Sequence, residues 1–429
     1  MDMLARVYKK FSSVGIISGV WTVTASLGSK VQTLALLAII TRLHGLPGAG
    51  LTISIVSAGL LVATLVDMGL STQVLRLAAQ GSMAKKTSVL SPVVLRLAVL
   101  IPLGVGGALA VLSATGSLGD FGLWSASIVI YSVGYYAALV MTQLAYGAGR
   151  FKSTAALNGA LRAGSVLGMM ILANIGAGPF WFVFFLGTVE LVIAAVQYFL
   201  VFLPISDLGD ASHLLRPRHT WKYGLGGIAN TMMNRSDTVA VSLVTTAAAL
   251  GTYGLASQVE NALTTGALIP AGALVAFTAR ASSDSERRSI GSWTSMAVFC
   301  SYGVLAIPAL MFTRDLIRLG FGAEIADVMP FQICIVAGLF SCLGGVAMQQ
   351  LTGQGSQSAV AIIWTGCAIF AVSLLMIGGW LWGALGAAIA ALLRDIAFFS
   401  ASWLVLRFSA KKNVKKAALQ LGRKRITTL

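Results

Sequence analysis

Twelve long apolar runs in succession, joined by short polar stretches, constrain this chain more than any other feature. They fall at about 14–41, 49–75, 89–113, 121–146, 153–174, 179–203, 221–246, 251–279, 289–313, 329–351, 358–379 and 383–407. Crossing a hydrocarbon layer of about 30 Å takes roughly 20 apolar residues in a helix, and each run meets that length. The pattern predicts an all-α polytopic membrane protein with 12 transmembrane helices. Composition agrees: of 429 residues 57% are hydrophobic and only 10% charged, with a mean hydropathy of +0.86. A basic arm with Arg6, Lys9 and Lys10 precedes the first run, which is interrupted by Ser and Thr and lacks a convincing cleavage site. It reads as a retained helix rather than a signal peptide.

A formal charge of +16 raises the question of nucleic acid, but the placement of the cations answers it differently. Loops on the side of the N-terminus hold Arg6, Lys9, Lys10, Arg76, Lys85, Lys86, Arg150, Lys152, Arg216, Arg218, Lys222, Arg280, Arg287 and Arg288. Arg407 and the tail residues Lys411, Lys412, Lys415, Lys416, Arg423, Lys424 and Arg425 join them. The opposite side holds only Arg42, Arg314 and Arg318. By the positive-inside rule both termini are cytoplasmic. The charge is explained by topology and by anionic headgroups, with no nucleic acid partner.

The chain divides into an N-terminal six-helix lobe (1–204), a polar linker (205–220), a C-terminal six-helix lobe (221–408) and a basic cytoplasmic tail (409–429). Several features recur 204 positions apart: Gly50-Leu51 with Gly254-Leu255, Arg76 with Arg280, Gly149 with Gly353, and Glu190 with Arg394. An even number of helices per copy makes this a parallel repeat about an axis along the membrane normal, with a binding site expected between the copies.

Ten ionisable groups fall inside the runs: Lys30, Arg96, Arg162, Arg235, Arg394, Asp67, Glu190, Asp237, Glu260 and Asp395. A charge at the centre of a bilayer costs about 2.5–3.5 kcal/mol on insertion scales, so such residues usually face a bundle interior or a wet cavity. Arg235 and Asp237 lie two residues apart, roughly 200° around a helix, and cannot simply neutralise each other. The spacing predicts one stripe, Thr231, Arg235, Thr238 and Ser242, lining a cavity, and a second, Asn230, Asn234 and Asp237, packing on neighbouring helices. Lys30 lies on a similar stripe with Thr22, Ser26 and Thr33, and it matches Arg235 within one residue of the repeat offset. The expectation is a cationic cavity of Lys30, Arg162, Arg235 and Arg394. Its ligand would be anionic, and a guanidinium suits phosphate because it offers two parallel hydrogen bonds. Asp67, Asp237, Glu190, Glu260 and Asp395 are candidates for ion coupling or for structural pairing. Arg96, near the cytoplasmic end of its helix, is expected to snorkel.

The remaining chemistry is sparse. Cys300, Cys334, Cys342 and Cys367 lack metal spacing and are expected to be buried thiols, and His44, His213 and His219 are scattered. No catalytic triad, phosphate loop, metal cluster or cofactor motif is present, so the chain is not expected to be an enzyme. Trp124, Trp181, Trp221, Trp380 and Trp382 fit interfacial belts. Tyr131, Tyr135, Tyr136 and Tyr253 are candidates for contact with sugar rings, with helix packing as the alternative. Pro270 and Pro308 are expected to kink their helices.

Four stretches carry a resemblance: LVDMGLSTQVLRLAA, NRSDTVAVSLVTTAAALGTYGLASQVENALTTGALIPA, LIRLGFGAEIADVMPF and LWGALGAAIAALLRD. They resemble the polysaccharide-repeat-unit, Wzx-type flippases of the multidrug/oligosaccharidyl-lipid/polysaccharide (MOP) exporter superfamily. The resemblance implies a two-lobe, MATE-like fold in a bacterial inner membrane and alternating access. It also implies that undecaprenyl-pyrophosphate-linked oligosaccharide is moved toward the periplasm for exopolysaccharide or O-antigen assembly. Membrane lipids, a polysaccharide polymerase and chain-length machinery are the partners it implies. Arg235, Asp237 and Asp67 match its motifs. The rivals are a cation-coupled multidrug antiporter of the same superfamily, a lipid II flippase, a membrane glycan polymerase or ligase, and a scaffold. The central cations disfavour the antiporter, and the short external stretch 314–327 disfavours the polymerase.

Overall fold

Among the described residues the regular backbone is helical and there is no strand. The computed structural model describes residues 13–79, 86–115, 121–202, 217–271, 274, 278, 283–322, 327–354 and 356–426. In chain order the helices are α1 (Ser13–Asp67), α2 (Leu70–Ala79), α3 (Lys86–Thr115), α4 (Phe121–Gly147), α5 (Phe151–Asn174) and α6 (Pro179–Gln197). A π-helical turn at Tyr198–Phe202 follows α6. Then come α7 (Pro217–Ser242), α8 (Ala247–Ala267), α9 (Asp284–Met311), α10 (Thr313–Phe321), α11 (Met329–Gly353) and α12 (Gln357–Ile426).

Two predicted helix pairs run almost continuously. The runs at 14–41 and 49–75 meet in α1 at Gly45, whose φ of 67° only glycine adopts without strain. Those at 358–379 and 383–407 meet in α12 at Trp382 and Gly383, the latter with φ 57°. Among the described residues seven helices are long and apolar enough to cross a membrane, which makes this a multipass membrane protein. Two of the seven, Leu27–Asp67 and Ser358–Phe408, span 41 and 51 residues, enough for two passes each on either side of the break. α7, which carries Asn230, Arg235 and Asp237, is not among them.

Other boundaries depart from expectation for local reasons. The run expected to continue to 279 is interrupted after Ala267 by a 3₁₀ turn at Ile269–Ala271 that contains Pro270, and Leu274 and Thr278 beyond it are again helical. The stretch read as an external loop at 314–327 contains α10, an amphipathic helix that buries Thr313, Ile317 and Phe321 at i, i+4 and i+8. Arg42 caps it by donating to the carbonyls of Leu319 and Gly320. α7 starts at Pro217, inside the expected linker, whose residues 205–216 lie outside the described residues. α12 runs on as a helix through the basic tail to Ile426. Trp124 is buried against Phe180 rather than interfacial, and Cys300 is exposed on α9. Arg96 is buried, not snorkelling.

Small residues let the helices close in, as van der Waals packing in lipid requires. A Cβ at Gly134 of α4 would stand 2.3 Å from the Gly187 carbonyl oxygen of α6. The repeat-related glycines converge: a Cβ at Gly50 would lie 2.4 Å from the Ala247 oxygen, and one at Gly254 would strike Ile53. α1 and α8 therefore cross tightly near Gly45, beside the Arg42–α10 contact. Leu37 and Ile53 of α1 share one apolar core with Val241, Leu250, Tyr253 and Phe331. Two further cores, around Tyr136 and around Phe182, are built chiefly from α1 to α6.

Candidate functional site

Between these cores lies a cavity of about 600 Å³, walled by α1, α4, α7, α8, α11 and α12. Its wall includes Leu36, Leu37, Thr52 and Ile53, all buried, near the α1–α8 crossing. It reaches Asn230, which is exposed. Hydroxyl and amide groups dominate the wall: Ser29, Thr33, Thr64, Thr231, Gln258, Asn261, Thr264, Thr265, Gln349 and Thr352. Two aromatic pairs complete it, Tyr131 with Tyr135 and Trp364 with Phe398, the latter with ring centroids 4.6 Å apart. Such a lining offers many neutral hydrogen-bond partners and a few flat apolar faces, the chemistry of a polyhydroxylated ligand.

Lys30, Arg235 and Arg394 all line this space. Lys30 Nζ donates to Asn261 Oδ1 at 3.4 Å and lies in electrostatic range of Arg235 and Glu260. Among the described residues neither Lys30 nor Arg235 has a carboxylate within 4 Å. Arg394 is different. Its Nε and Nη2 donate to Asp395 at 2.8 and 3.0 Å, and its Nη1 donates to the Met233 carbonyl at 3.2 Å. Nη1 also stands 3.8 Å from Asp237 Oδ2. The guanidinium is thus a buried brace between α12 and α7.

Arg162 does not share the main cavity. It forms a two-bond fork with Glu190, at 3.2 and 3.1 Å, in an adjoining pocket of about 260 Å³. Ser29 and Tyr135 line both spaces. The separation follows from α5 packing on α6, which puts a carboxylate opposite the guanidinium. The repeat-related positions Glu190 and Arg394 therefore each hold half of a buried ion pair, with the signs exchanged.

The acids also sort themselves. Asp237 lines the cavity and accepts from Tyr253 Oη at 3.0 Å, Ser257 Oγ at 3.3 Å and the Thr238 amide at 2.6 Å. Glu260 lines the cavity too, with no cation within 4 Å among the described residues. Asp395 is fully buried behind Arg394. Asp67 lies elsewhere: it accepts from the Gly69 amide, the Ser71 amide and the Ser71 hydroxyl at 3.0, 3.0 and 2.9 Å, capping the start of α2. That turn is what the Asp-x-Gly pattern encodes locally.

The α7 stripes need revision. Thr231 and Arg235 face the cavity as expected, but Thr238 bonds Ser57 Oγ at 2.8 Å and Ser242 bonds its own helix, while Asn230 and Asp237 line the space. α7 is clasped by α1 and α8 at its Ser242 end, so the open arc shifts around the helix along its length. Of the Lys30 stripe, Thr33 lines the cavity; the side chains of Thr22, Ser26 and Asn234 lie outside those described. Tyr136 and Tyr253 are packing residues, fully buried. Periodicity missed Asn261, Gln258, Gln349 and Trp364, whose polar or aromatic character was visible but whose common destination was not.

No family profile and no curated protein sequence matches this chain. Solved structures do. The chain is similar to the lipid II flippase MurJ in an inward closed conformation, with TM-score 0.73, 11% identity, and coverage of 90% of this chain and 87% of that one. It is similar to a multidrug resistance MATE family transporter in an inward-facing conformation, with TM-score 0.66, 15% identity, and coverage of 92% and 99%. It also matches a MOP superfamily transporter from Pyrococcus furiosus, with TM-score 0.60, 14% identity, and coverage of 92% and 95%. At these identities the likeness establishes the fold, which is that of MOP superfamily transporters.

Proposed function

We propose that this chain is a flippase of the MOP superfamily that moves a pyrophosphate-linked oligosaccharide on an undecaprenyl carrier across a bacterial inner membrane. The observation that carries the reading is the pair Lys30 and Arg235, two cations without a carboxylate within 4 Å among the described residues, on the wall of a hydroxyl- and amide-rich cavity. Both are half-buried, and charges within membrane-spanning segments ordinarily pair or line a substrate path, so two such cations leave a site that an anionic headgroup completes. The neutral wall suits the glycan, and the volume falls within the usual range for ligand pockets of about 300–1,000 Å³. In this reading twelve spans form two six-helix lobes, 1–204 and 221–408, with both termini cytoplasmic. The repeat-related contacts of Gly50 and Gly254 support it. The lobes are closed at the α1–α8 crossing and rock about the cavity to expose the opposite side. Arg162 and Arg394 serve as structural braces, and the MurJ likeness supports a lipid-linked substrate.

The test is binding of undecaprenyl pyrophosphate to the purified protein. Each lost charge-assisted hydrogen bond is worth about 1.5–3 kcal/mol, so Lys30→Ala with Arg235→Ala should weaken binding at least about 100-fold. Wild-type affinity in that double variant ends the proposal. One observation favours a second reading: Glu260, an acid in the same cavity without a cation within 4 Å among the described residues, suits a cation-coupled multidrug antiporter. Uptake of a cationic dye that depends on Glu260 but not on Arg235 would select it.

A further inference from the structure

On the far side of α11 and α12 from the cavity runs an apolar groove. Ser341 and Phe398 face the cavity, while Leu343 and Phe399 line the groove. Met296 and Phe299 of α9 form its other wall, and Trp403 and Leu404 continue it along α12. Phe399 stacks at a tilt on Trp403, with ring centroids 6.2 Å apart. From Phe399 to Arg407 the groove follows eight residues, about 12 Å at 1.5 Å per residue, close to the depth of one leaflet's hydrocarbon. Ser292, Ser295 and Ser400 also line it, and the one charge among its lining residues sits at one end. Arg407 lies exposed at the rim, and the Trp403 indole N–H is buried with no partner among the described residues. In the sequence Lys411, Lys412, Lys415 and Lys416 follow directly on the same helix.

A lipid-facing groove is always covered by some chain; the rim decides which. We propose that this groove is a binding site for one anionic phospholipid, distinct from the transport cavity. Its acyl chain lies along Met296, Phe299, Phe399 and Leu404. Its phosphate pairs with Arg407 at the exposed rim. The carrier lipid's own tail is disfavoured as occupant, because α11 and α12 stand between the groove and a headgroup in the cavity.

Native mass spectrometry of the full chain in neutral detergent tests this, with phosphatidylglycerol and phosphatidylcholine of matched acyl chains offered together. The wild type should retain phosphatidylglycerol over phosphatidylcholine by about fivefold, the preference expected for one arginine at a charged headgroup. Arg407→Gln, at an exposed position, should bring the two lipids toward parity. Equal retention by the wild type, or an undiminished preference in Arg407→Gln, overturns the proposal. So does preferential retention of undecaprenyl phosphate offered in the same mixture.

Discussion

Arg394 is the position where a structural and a substrate-binding role give opposite results. Its guanidinium is 4% exposed and spends its donors on Asp395 and the Met233 carbonyl, with Asp237 3.8 Å away. Replacing it with methionine leaves the Asp395 carboxylate, 0% exposed, with no cation beside it. Removing one partner of a buried pair costs about 3–5 kcal/mol, whereas exchanging both for apolar residues of similar size is often neutral. Asp237 is less affected, because Tyr253, Ser257 and the Thr238 amide still donate to it. Arg394→Met should therefore lower the thermal midpoint of the detergent-solubilised protein sharply. The double variant Arg394→Met, Asp395→Leu should recover at least half of that loss. If the brace is purely structural, the recovered double variant also binds undecaprenyl pyrophosphate as the wild type does. A single variant as stable as wild type would refute the brace. A double variant less stable than either single would refute the pairing. A stable double variant that no longer binds would return Arg394 to the headgroup site.

Other positions give independent checks. Arg162→Met should destabilise by about 3–5 kcal/mol through the stranded Glu190, and adding Glu190→Leu should restore the melting temperature. Asp67→Ala removes the acceptor for Gly69 and Ser71 and should cost about 0.5–2 kcal/mol in thermal unfolding, while leaving binding of undecaprenyl pyrophosphate intact. Gly187→Val puts carbon into the backbone of Tyr131, 2.5 Å from a Cβ, and should destabilise by at least about 1–3 kcal/mol, read as reduced detergent stability. Gly251→Val meets the Leu46 carbonyl at 2.1 Å, so it should hold the α1–α8 crossing open; accessibility of a cysteine placed at Thr52 to a membrane-impermeant thiol reagent should rise.

Much of this architecture is determined by the sequence alone, because lipid imposes a simple rule: backbone groups must be satisfied within the segment, so an apolar run of about 20 residues becomes a helix. The all-helical fold, the approximate place of most helices, and the ten charges set inside those runs could all be read before any coordinates, whereas the ends at Ala267 and Ile426 could not. The breaks at Gly45 and Trp382 were legible as gaps between runs. The amphipathic α10 was legible only as a short stretch, since a helix of nine residues carries little periodic signal.

The company each charge keeps could be decided only by tertiary structure. Helical spacing fixes the face on which a side chain lies; it says nothing of what that face meets. Lys30, Arg162, Arg235 and Arg394 are alike as cations near mid-helix, yet α6 brings Glu190 to Arg162, and Arg394 folds back on its own neighbour while bracing α7. Lys30 and Arg235, from helices about 200 residues apart in sequence, reach one cavity because α1, α7 and α8 pack around it. Long guanidinium side chains reach several ångströms in many directions, so the choice between a partner and a cavity rests with neighbours that only packing supplies.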